Sequence, residues 1–469
     1  MNDHGINVIQ QETGVSTPIV AESGVPFVIG SAPVQAAENP AAAGTPVLCT
    51  SWDEAVEALG YSDNWADFTL CEFMYSHFKL FACQPVIFLN LLDPATMKEA
   101  VSEASVTVAD HKAKLPIEAI NSAALTVKSG VDTLVKDTDY SVYYNGENCI
   151  VELLPDSEYY SEASLTIGYD KVKASAVNAA AVATGVEKVE LCLTLLGKVP
   201  DLIVAPGFSS EATVAAAMAA KAGSINGLFV AKAVVDVESS TTKTYAAAVA
   251  KKATDGMTDK AEIVCWPMAT LGDKKFHMST IVTGRMAQTD TENGGNPSES
   301  PSNEKAPIDG LCAADGTAIM LTLQQANVLN AGGIVTALNF VNGWVVWGNY
   351  TGCYPGSADV KDYFIPVSRT FGWVGNSLIK TFWSKLDSRM SRRLVDNILD
   401  SANIWMNGLV GQGVLLGGRV ELIDAENPLT NLMAGIIRIH VYLTPPSPMQ
   451  ELDFVLEYDA SYVETALQG

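Results

Sequence analysis

Long apolar runs are missing from this sequence of 469 residues, although 48% of its residues are hydrophobic. A transmembrane helix needs about 18 or more consecutive apolar residues, and no such run is present. Residues 1–11 also lack the basic start and the apolar stretch of a secretory signal. We therefore expect no membrane insertion, and we expect the chain to stay in the cytosol of the cell that makes it.

Cysteine and histidine, the usual ligands of protein-bound transition metals, are few and scattered. The eight cysteines form no CxxC pair, and the five histidines form no HExxH or HxH spacing. A zinc site needs clustered ligands of this kind, so the sequence indicates no metal. Because most cysteines stand singly inside apolar stretches, we expect them to be buried, reduced thiols.

Basic residues are scarce: 29 lysines and arginines stand against 53 aspartates and glutamates, for a formal net charge of −24. Such an acidic surface repels a phosphate backbone, so nucleic acid is not an expected partner. Residues 361–393 are an exception, with seven basic and two acidic residues. The basic ones are Lys361, Arg369, Lys380, Lys385, Arg389, Arg392 and Arg393.

The signatures of common α/β enzymes are also absent. No GxSxG motif occurs, and the glycines of residues 411–417 are spaced one residue too widely for GxGxxG and follow a predicted helix. Asp290 and Glu292 lack the ligand spacing of a calcium loop. We therefore predict no catalytic residue and no cofactor. The alternative is an α/β nucleotide- or cofactor-dependent enzyme whose site is assembled from scattered residues.

Apolar strand patterns alternate with helical patterns over much of the chain. The strands are predicted at residues 25–30, 85–91, 201–205, 228–235 and 263–267, and helices at 52–59, 65–79, 177–196, 211–223 and 244–253. Ser209 and Ser210 are predicted to cap the helix over 211–223. This alternation is typical of an α/β core with a mostly parallel sheet covered by helices.

Residues 96–172 have a different pattern of short alternating strands. Asn145-Gly146 between two of them is a strong hairpin signal, because both central residues of that turn need a positive φ. We predict an inserted all-β domain. The fold class is thus α/β (α+β overall), a mostly parallel helix-covered sheet core with an inserted all-β domain and extended terminal strand arms. The predicted division is an N-terminal arm and first strands (1–30), a discontinuous core (31–95 and 173–345), the insertion (96–172) and a C-terminal domain (346–469) that ends in an arm (449–469).

A long amphipathic helix is predicted over about residues 376–399. Its apolar side is formed by residues that recur at helical spacing: Phe382, Trp383, Leu386, Met390 and Leu394. Five basic residues lie off that side: Lys380, Lys385, Arg389, Arg392 and Arg393. This basic helix is either an ordinary solvated surface or a surface that docks on an acidic partner.

Both ends of the chain carry strand-like alternation. The residues are Ile6, Val8 and Gln10 at one end and Leu452, Phe454, Leu456 and Tyr458 at the other. A lone strand cannot satisfy its backbone hydrogen bonds or bury its apolar side, so each must join a sheet. Either both strands fold back on their own domain, or they complete the sheets of neighbouring molecules by strand addition.

Several short motifs occur together in an order typical of one protein family. Residues 14–17, residues 24–30 and the helix start Thr50-Ser51-Trp52 resemble those of contractile tail sheath proteins, from phages, phage-tail-like injection systems or bacteriocins. The C-terminal third carries the firmest resemblance, in residues 321–334, Trp347-Gly348, residues 429–435 and the proline-rich residues 445–451. Tyr350 stands where the family often has arginine, so no ion pair is carried over to that position.

The resemblance implies a structural subunit and not an enzyme. Its expected partners are copies of itself, in hexameric rings stacked into a helical sheath, together with an inner tail tube and the baseplate and tail terminator proteins. It implies that the two terminal strands are arms shared between neighbours, and that the basic helix faces the tube. Assembly is expected in the host bacterial cytoplasm, before the subunit becomes part of the tail of a released particle. Another structural virion or tail component is a further alternative.

Overall fold

A computed structural model describes residues 17–468 of the protein. These residues form 21 strands: β1 (Pro26–Gly30), β2 (Val47–Cys49), β3 (Val86–Asn90), β4 (Lys98–Ala109), β5 (Lys112–Pro116), β6 (Thr126–Ser129), β7 (Asp132–Thr133), β8 (Tyr140–Tyr144), β9 (Asn148–Leu153), β10 (Ser164–Val172), β11 (Leu202–Val204), β12 (Lys232–Asp236), β13 (Glu262–Cys265), β14 (Met268–Leu271), β15 (Lys274–Phe276), β16 (Gly310–Cys312), β17 (Ala318–Ile319), β18 (Ile334–Phe340), β19 (Gly343–Trp347), β20 (Gly417–Glu421) and β21 (His440–Thr444).

The same part of the chain forms 13 α-helices: α1 (Trp52–Leu59), α2 (Thr69–Met74), α3 (Ala179–Gly185), α4 (Cys192–Leu196), α5 (Ala212–Ala222), α6 (Tyr245–Thr254), α7 (Met278–Glu292), α8 (Leu323–Ala331), α9 (Val360–Tyr363), α10 (Ile365–Phe382), α11 (Arg392–Gly411), α12 (Leu429–Met433) and α13 (Ser461–Gln468). A π-helical turn, Tyr75–Leu80, continues α2. Within residues 17–468, no helix is both long enough and apolar enough to cross a membrane.

An eight-stranded sheet in the order β19-β18-β13-β12-β11-β1-β3-β2 forms the centre of the molecule. The six inner strands pair in parallel, and only the edge strands β2 and β19 are antiparallel to their neighbours. Strands β1, β3 and β12 are buried along their whole length. Because such strands are apolar on both faces, helices must cover the sheet. The predicted α/β core is confirmed.

Helix α7 is a long helix that lies deeply buried against this sheet. Twelve of its fifteen residues are buried, and it contacts β11, β12 and β13. Its Gly284 lets Phe81 approach so closely that a Cβ added at Gly284 would lie 2.2 Å from the ring. Helix α7 ends at Glu292, and a long polar loop over residues 293–309 follows it.

Part of that loop covers the edge of the central sheet. The N–H of Asn303 donates to the carbonyl of Val346, and the N–H of Val346 donates to the carbonyl of Glu304. The N–H of Ala306 donates to the carbonyl of Trp344. An uncovered edge strand would offer free backbone groups to other chains, so residues 303–306 close β19 to such pairing.

The inserted β domain is a seven-stranded sheet in the order β7-β6-β10-β4-β5-β9-β8. Its buried side includes Leu115, Val127 and Val151. Strands β4 and β5 were not predicted from the pattern, because β4 is largely exposed and rich in charged and small residues. Four ion pairs cross its strands: Lys98–Asp170, Lys112–Glu152, Lys128–Glu103 and Lys171–Glu99.

The predicted hairpin of this domain forms between β8 and β9, but its turn differs from the prediction. The loop has three residues, Asn145 to Glu147, and of its two predicted turn residues only Gly146 has a positive φ, 89°. The side chain of Asn145 accepts from the N–H groups of Glu147 and Asn148 at 3.1 and 2.8 Å. This side-chain bonding stabilises the wider loop.

Two helix predictions need correction. Ser209 and Ser210 do not cap α5, whose N-cap is Glu211 without a side-chain capping bond. Ser209 is buried, and its hydroxyl donates instead to Asp236 at 2.9 Å. The helix predicted over 177–196 is divided into α3, the 3₁₀ turns Val186–Leu191, and α4. Sequence periodicity detects neither a distant hydrogen-bond partner nor a local change of helical pitch.

The cysteine prediction is confirmed by the described residues. All eight cysteines are free thiols, seven of them are buried, and Cys353 is half-buried. Burial raises the pKa of Cys71 to about 12, which keeps this thiol neutral.

Candidate assembly site

A buried charged cluster joins the C-terminal part of the chain to the central sheet. Arg369 of α10 is 3% exposed, and its Nη2 atom lies 2.5 Å from Asp290 and 2.7 Å from Asp201. Ser23 donates to the same Asp290 at 2.5 Å. Burial alone would lower the pKa of Arg369, but the two carboxylates outweigh it and raise that pKa. Arg369 therefore stays charged and holds together α10, the end of α7 and the residue that precedes β11.

The N-terminal segment that leads to this cluster lies along α10. The hydroxyl of Thr381 accepts from the N–H of Ile19 at 2.9 Å, and that of Ser377 accepts from the N–H of Ala21 at 2.8 Å. The indole N–H of Trp373 donates to the carbonyl of Ala21 at 2.7 Å. We call residues 19–23 the arm root. The side chains that hold it form the α10 row: Arg369, Trp373, Ser377 and Thr381.

The predicted basic helix over residues 376–399 is wrong as a single helix. Helix α10 ends at Phe382, a 3₁₀ turn follows, and α11 begins at Arg392. Asp387 has a φ of 60°, and the hydroxyl of Ser391 caps α11 by accepting from the N–H of Leu394 at 3.3 Å. A left-handed residue followed by a new N-cap cannot belong to a continuous α-helix.

Phe382, at the end of α10, packs against a buried apolar cluster, but three of the other apolar residues that suggested the helix are exposed. Trp383, Leu386 and Met390 are 57%, 61% and 42% exposed. Without burial of this side, nothing favours one helix through the whole stretch. We call residues 380–393 the basic segment. Its five predicted residues lie at the end of α10, in the turn and at the start of α11: Lys380, Lys385, Arg389, Arg392 and Arg393.

The local positive charge is smaller than the sequence count indicates. Arg369 is neutralised inside the molecule, and Lys361 pairs with Asp359 and Asp362. Burial of this kind cannot be read from charge spacing along the chain. Within residues 361–393, the exposed positive charge is therefore confined to the basic segment.

The predicted C-terminal strand does not form within this chain. Residues 445–459 have neither helix nor strand, and the helix α13 that follows was not predicted. The four predicted arm residues are 62–93% exposed: Leu452, Phe454, Leu456 and Tyr458. The three predicted N-terminal arm residues lie outside the described part of the chain: Ile6, Val8 and Gln10.

A two-stranded sheet precedes this C-terminal segment. Strands β20 and β21 pair in antiparallel register, and the sheet packs on α11. The side chain of Asn403 in α11 bonds both the N–H and the carbonyl of Val420 at 2.8 Å. The backbone groups at the centre of the outer edge of β20 are thus already bonded and are closed to pairing with another strand. In residues 17–468, β21 has no strand partner on its other side.

The family-like motifs of the C-terminal third occupy well-defined positions. Thr322 and Gln325 form a reciprocal capping box at the start of α8. The indole N–H of Trp347 donates to Asn327 at 3.0 Å, which ties β19 to α8. Tyr350, which replaces the arginine common in the family, stacks on Tyr354 with ring centres 3.9 Å apart. Tyr350 therefore makes an aromatic contact at the position where the resemblance alone would have suggested an ion pair.

Comparison with known proteins supports the resemblance over the whole chain. No profile of a known protein family matches the sequence. A tail sheath protein of Burkholderia phage BcepMu is 27% identical over 489 aligned residues, which cover 99% of this chain and 98% of the phage protein. A putative prophage major tail sheath protein of Pseudomonas aeruginosa (strain UCBPP-PA14) is 27% identical over 320 residues, covering 65% of this chain and 78% of that protein.

The fold is similar to that of a solved sheath subunit. The sheath complex of the PVC extracellular contractile injection system, in its contracted state, matches with a TM-score of 0.62 at 15% identity. The match covers 98% of this chain and 99% of the other. The similarity that the sequence motifs predict is thus confirmed: the chain is similar to a tail sheath protein over nearly its whole length and has a sheath-type fold.

Proposed function

We propose that this chain is the repeating structural subunit of a contractile tail sheath. Its copies form hexameric rings that stack around an inner tail tube, and contraction by subunit rearrangement drives the tube through a target envelope. The mechanical work of contraction comes from interfaces that have two stable arrangements, and not from a chemical reaction. The observation that carries the proposal is the strand-like C-terminal segment, which is exposed and pairs with no strand among residues 17–468.

The C-terminal segment needs a partner from another molecule. Burying its four arm side chains would contribute roughly 6–12 kcal/mol, at about 1.5–3 kcal/mol each. Ordering the backbone of residues 452–458 costs about 7–14 kcal/mol, at about 1–2 kcal/mol per residue. The two amounts nearly cancel, so the arm docks only where a sheet edge also supplies backbone hydrogen bonds. Strand addition meets this requirement.

The β21 edge is the place where such an arm adds. A two-stranded sheet is only marginally stable alone, and further strands would stabilise it. Because Asn403 closes the β20 side, the C-terminal arm of one neighbour pairs along β21. The N-terminal arm of another neighbour, through Ile6, Val8 and Gln10, extends the sheet by a further strand. Each subunit is then tied to others even while its body moves.

The basic segment faces the tube in this proposal. Arg392 and Arg393 lie in the first turn of α11, where the helix dipole disfavours positive charge by about 0.3–1 kcal/mol per residue. An acidic surface on the tube would offset this cost and would pair with Lys380, Lys385 and Arg389 as well. Baseplate proteins lie at one end of the sheath, and tail terminator proteins lie at the other. The subunit assembles in the bacterial host and leaves in the tail of the particle.

Deletion of either arm tests the proposal. Removing residues 1–11, or all residues after Pro448, should leave a folded, soluble monomer, since neither deletion touches the central sheet. Light scattering and electron microscopy would measure the loss of polymer. Deleting only residues 466–469, which follow the arm strand, is the matched control and should preserve assembly. Polymers of normal length from either arm deletion would refute the arm role.

A further inference from the structure

The α10 row has a spacing suited to holding an extended chain. Its members are four residues apart, so they lie on one face of the helix. The arm-root residues that they hold, Ile19, Ala21 and Ser23, are two residues apart, which is the repeat of an extended backbone. The row spans about 18 Å along the helix, and the root about 13 Å. The Arg369 side chain is long and reaches Ser23 Oγ at 3.3 Å. Its length accounts for much of the difference between the span of the row and the span of the root.

The hydrogen bonds that hold the arm root are formed by buried residues of α10. The Thr381 hydroxyl accepts from the N–H of Ile19, and the Ser377 hydroxyl accepts from the N–H of Ala21. Ala21 is 5% exposed, and Thr381 and Ser377 are buried as well. Beyond the root, the N–H of Val25 donates to Asp201 at 2.7 Å, directly before β1. Every second residue from Ile19 to Val25 is therefore fastened to α10 or to its ion-pair cluster.

We propose that the α10 row is a clamp that fixes the root of the N-terminal arm and carries its load into the central sheet. A pull on the arm passes from residues 19–23 to α10, and through Arg369 to Asp201 and Asp290. The clamp also sets the reach of the arm. Only seven residues, 12–18, lie between the root and the predicted strand, and fully extended they span about 25 Å. The inference rests on the proposed function, because it assumes that the arm bears load.

The clamp reaches the end of α10, where the basic segment begins. Thr381 holds the outermost root residue in the last turn of α10, next to Lys380 and two residues before the exposed Trp383. A displacement of the arm therefore acts on the same helix end that begins the basic segment. Neighbour contact through the arm and tube contact through the basic segment share a rigid support.

Hydrogen exchange on the soluble subunit tests the clamp without any assembly. The double substitution Ser377→Ala with Thr381→Val removes both hydroxyl acceptors, and amide exchange at Ile19 and Ala21 should become about tenfold faster or more. Thr370→Val is the matched control, because the Thr370 hydroxyl bonds only Pro366 O within α10. The exchanged pair Ser377→Thr with Thr381→Ser keeps both hydroxyls and should retain protection. Unchanged exchange in the double variant would overturn the clamp.

Sheath polymers test the load path. Polymers of the double variant should form but break into shorter pieces when contraction is induced, as measured by electron microscopy. Wild-type and Thr370→Val polymers should keep their length. Contracted polymers of wild-type length from the double variant would overturn the load path. If the wild-type chain forms no polymer at all, the proposed function fails, while the exchange experiment still decides on the clamp.

Discussion

Arg369 shows how one residue can join distant parts of this chain. Its carboxylate partners lie 168 and 79 residues away in sequence, and both ion pairs are largely removed from water. Such a pair adds little net stability compared with apolar residues, but its loss leaves uncompensated buried charges. In the sequence, Arg369 counts among the excess of basic residues over residues 361–393, because no local sequence feature indicates that it is buried.

Replacing Arg369 by methionine should therefore be costly. The substitution leaves Asp290, which is 1% exposed, without its cation, and the free energy of unfolding should fall by about 3–5 kcal/mol. Urea unfolding followed by circular dichroism would measure the change. Arg392→Met, which breaks an exposed pair with Asp396, is the control and should cost about 0–1 kcal/mol. Equal effects of the two substitutions would contradict the role assigned to the cluster.

His277 and Glu72 form a second contact that sequence spacing did not reveal. His277 Nδ1 lies 2.8 Å from Glu72 Oε2, and Glu72 also accepts from the His277 N–H at 2.7 Å. Burial alone would lower the pKa of His277, but the Glu72 carboxylate outweighs it and raises the pKa to about 9. The imidazolium is thus the favoured form at neutral pH. Both residues join α2 to the start of α7.

This pair predicts a loss of stability in alkaline solution. Because the folded pKa of His277 exceeds its ordinary 6.5, the stabilisation is complete below pH 6.5 and disappears as pH rises through about 9. The free energy of unfolding should fall by on the order of 2 kcal/mol over this range. In His277→Asn that fall should be absent, as urea titrations at several pH values would show. Identical pH slopes in the two proteins would rule the effect out.

At the scale of elements, the success of prediction depended on burial. Helix α1 occurs at its predicted bounds, because one repeating pattern covers it from end to end. The same reasoning failed for residues 376–399, where an apolar repeat exists but is exposed, and for β4, where the strand carries little apolar sequence. The sequence pattern alone does not distinguish an apolar face that packs within the chain from an apolar face that binds another molecule.

In the proposed function, the exposed basic segment is a surface that binds another molecule, the tail tube. Replacing Lys385, Arg389 and Arg392 by glutamate should weaken binding to tubes of the tail-tube protein without lowering the subunit's melting temperature. Wild-type binding should fall as salt rises, whereas the variant should bind weakly at every salt concentration. Co-sedimentation would measure both.

A matched variant controls for net charge. Lys114, Lys173 and Lys188 are exposed residues outside the basic segment, and their replacement by glutamate changes the charge by the same amount. This variant should bind tubes as the wild type does. Equal loss of binding in both variants would show that net charge, and not the basic segment, controls attachment.

The described part of the molecule combines a deeply buried central sheet with an exposed C-terminal segment. The central sheet is deeply buried and its β19 edge is covered, so the body itself offers little for polymerisation there. The open β21 edge and the exposed C-terminal segment are the exceptions. A chain that closes one sheet edge and leaves another strand pair open is suited to a polymer whose links persist while its bodies rotate.

Electron microscopy of the purified full-length chain, with helical reconstruction, tests the central claim most directly. We predict hollow tubes of stacked six-fold rings, in which density for the C-terminal segment of one subunit runs along β21 of its neighbour. Monomers or closed particles at all concentrations, or tubes in which the C-terminal segment folds back on its own subunit, would contradict the account.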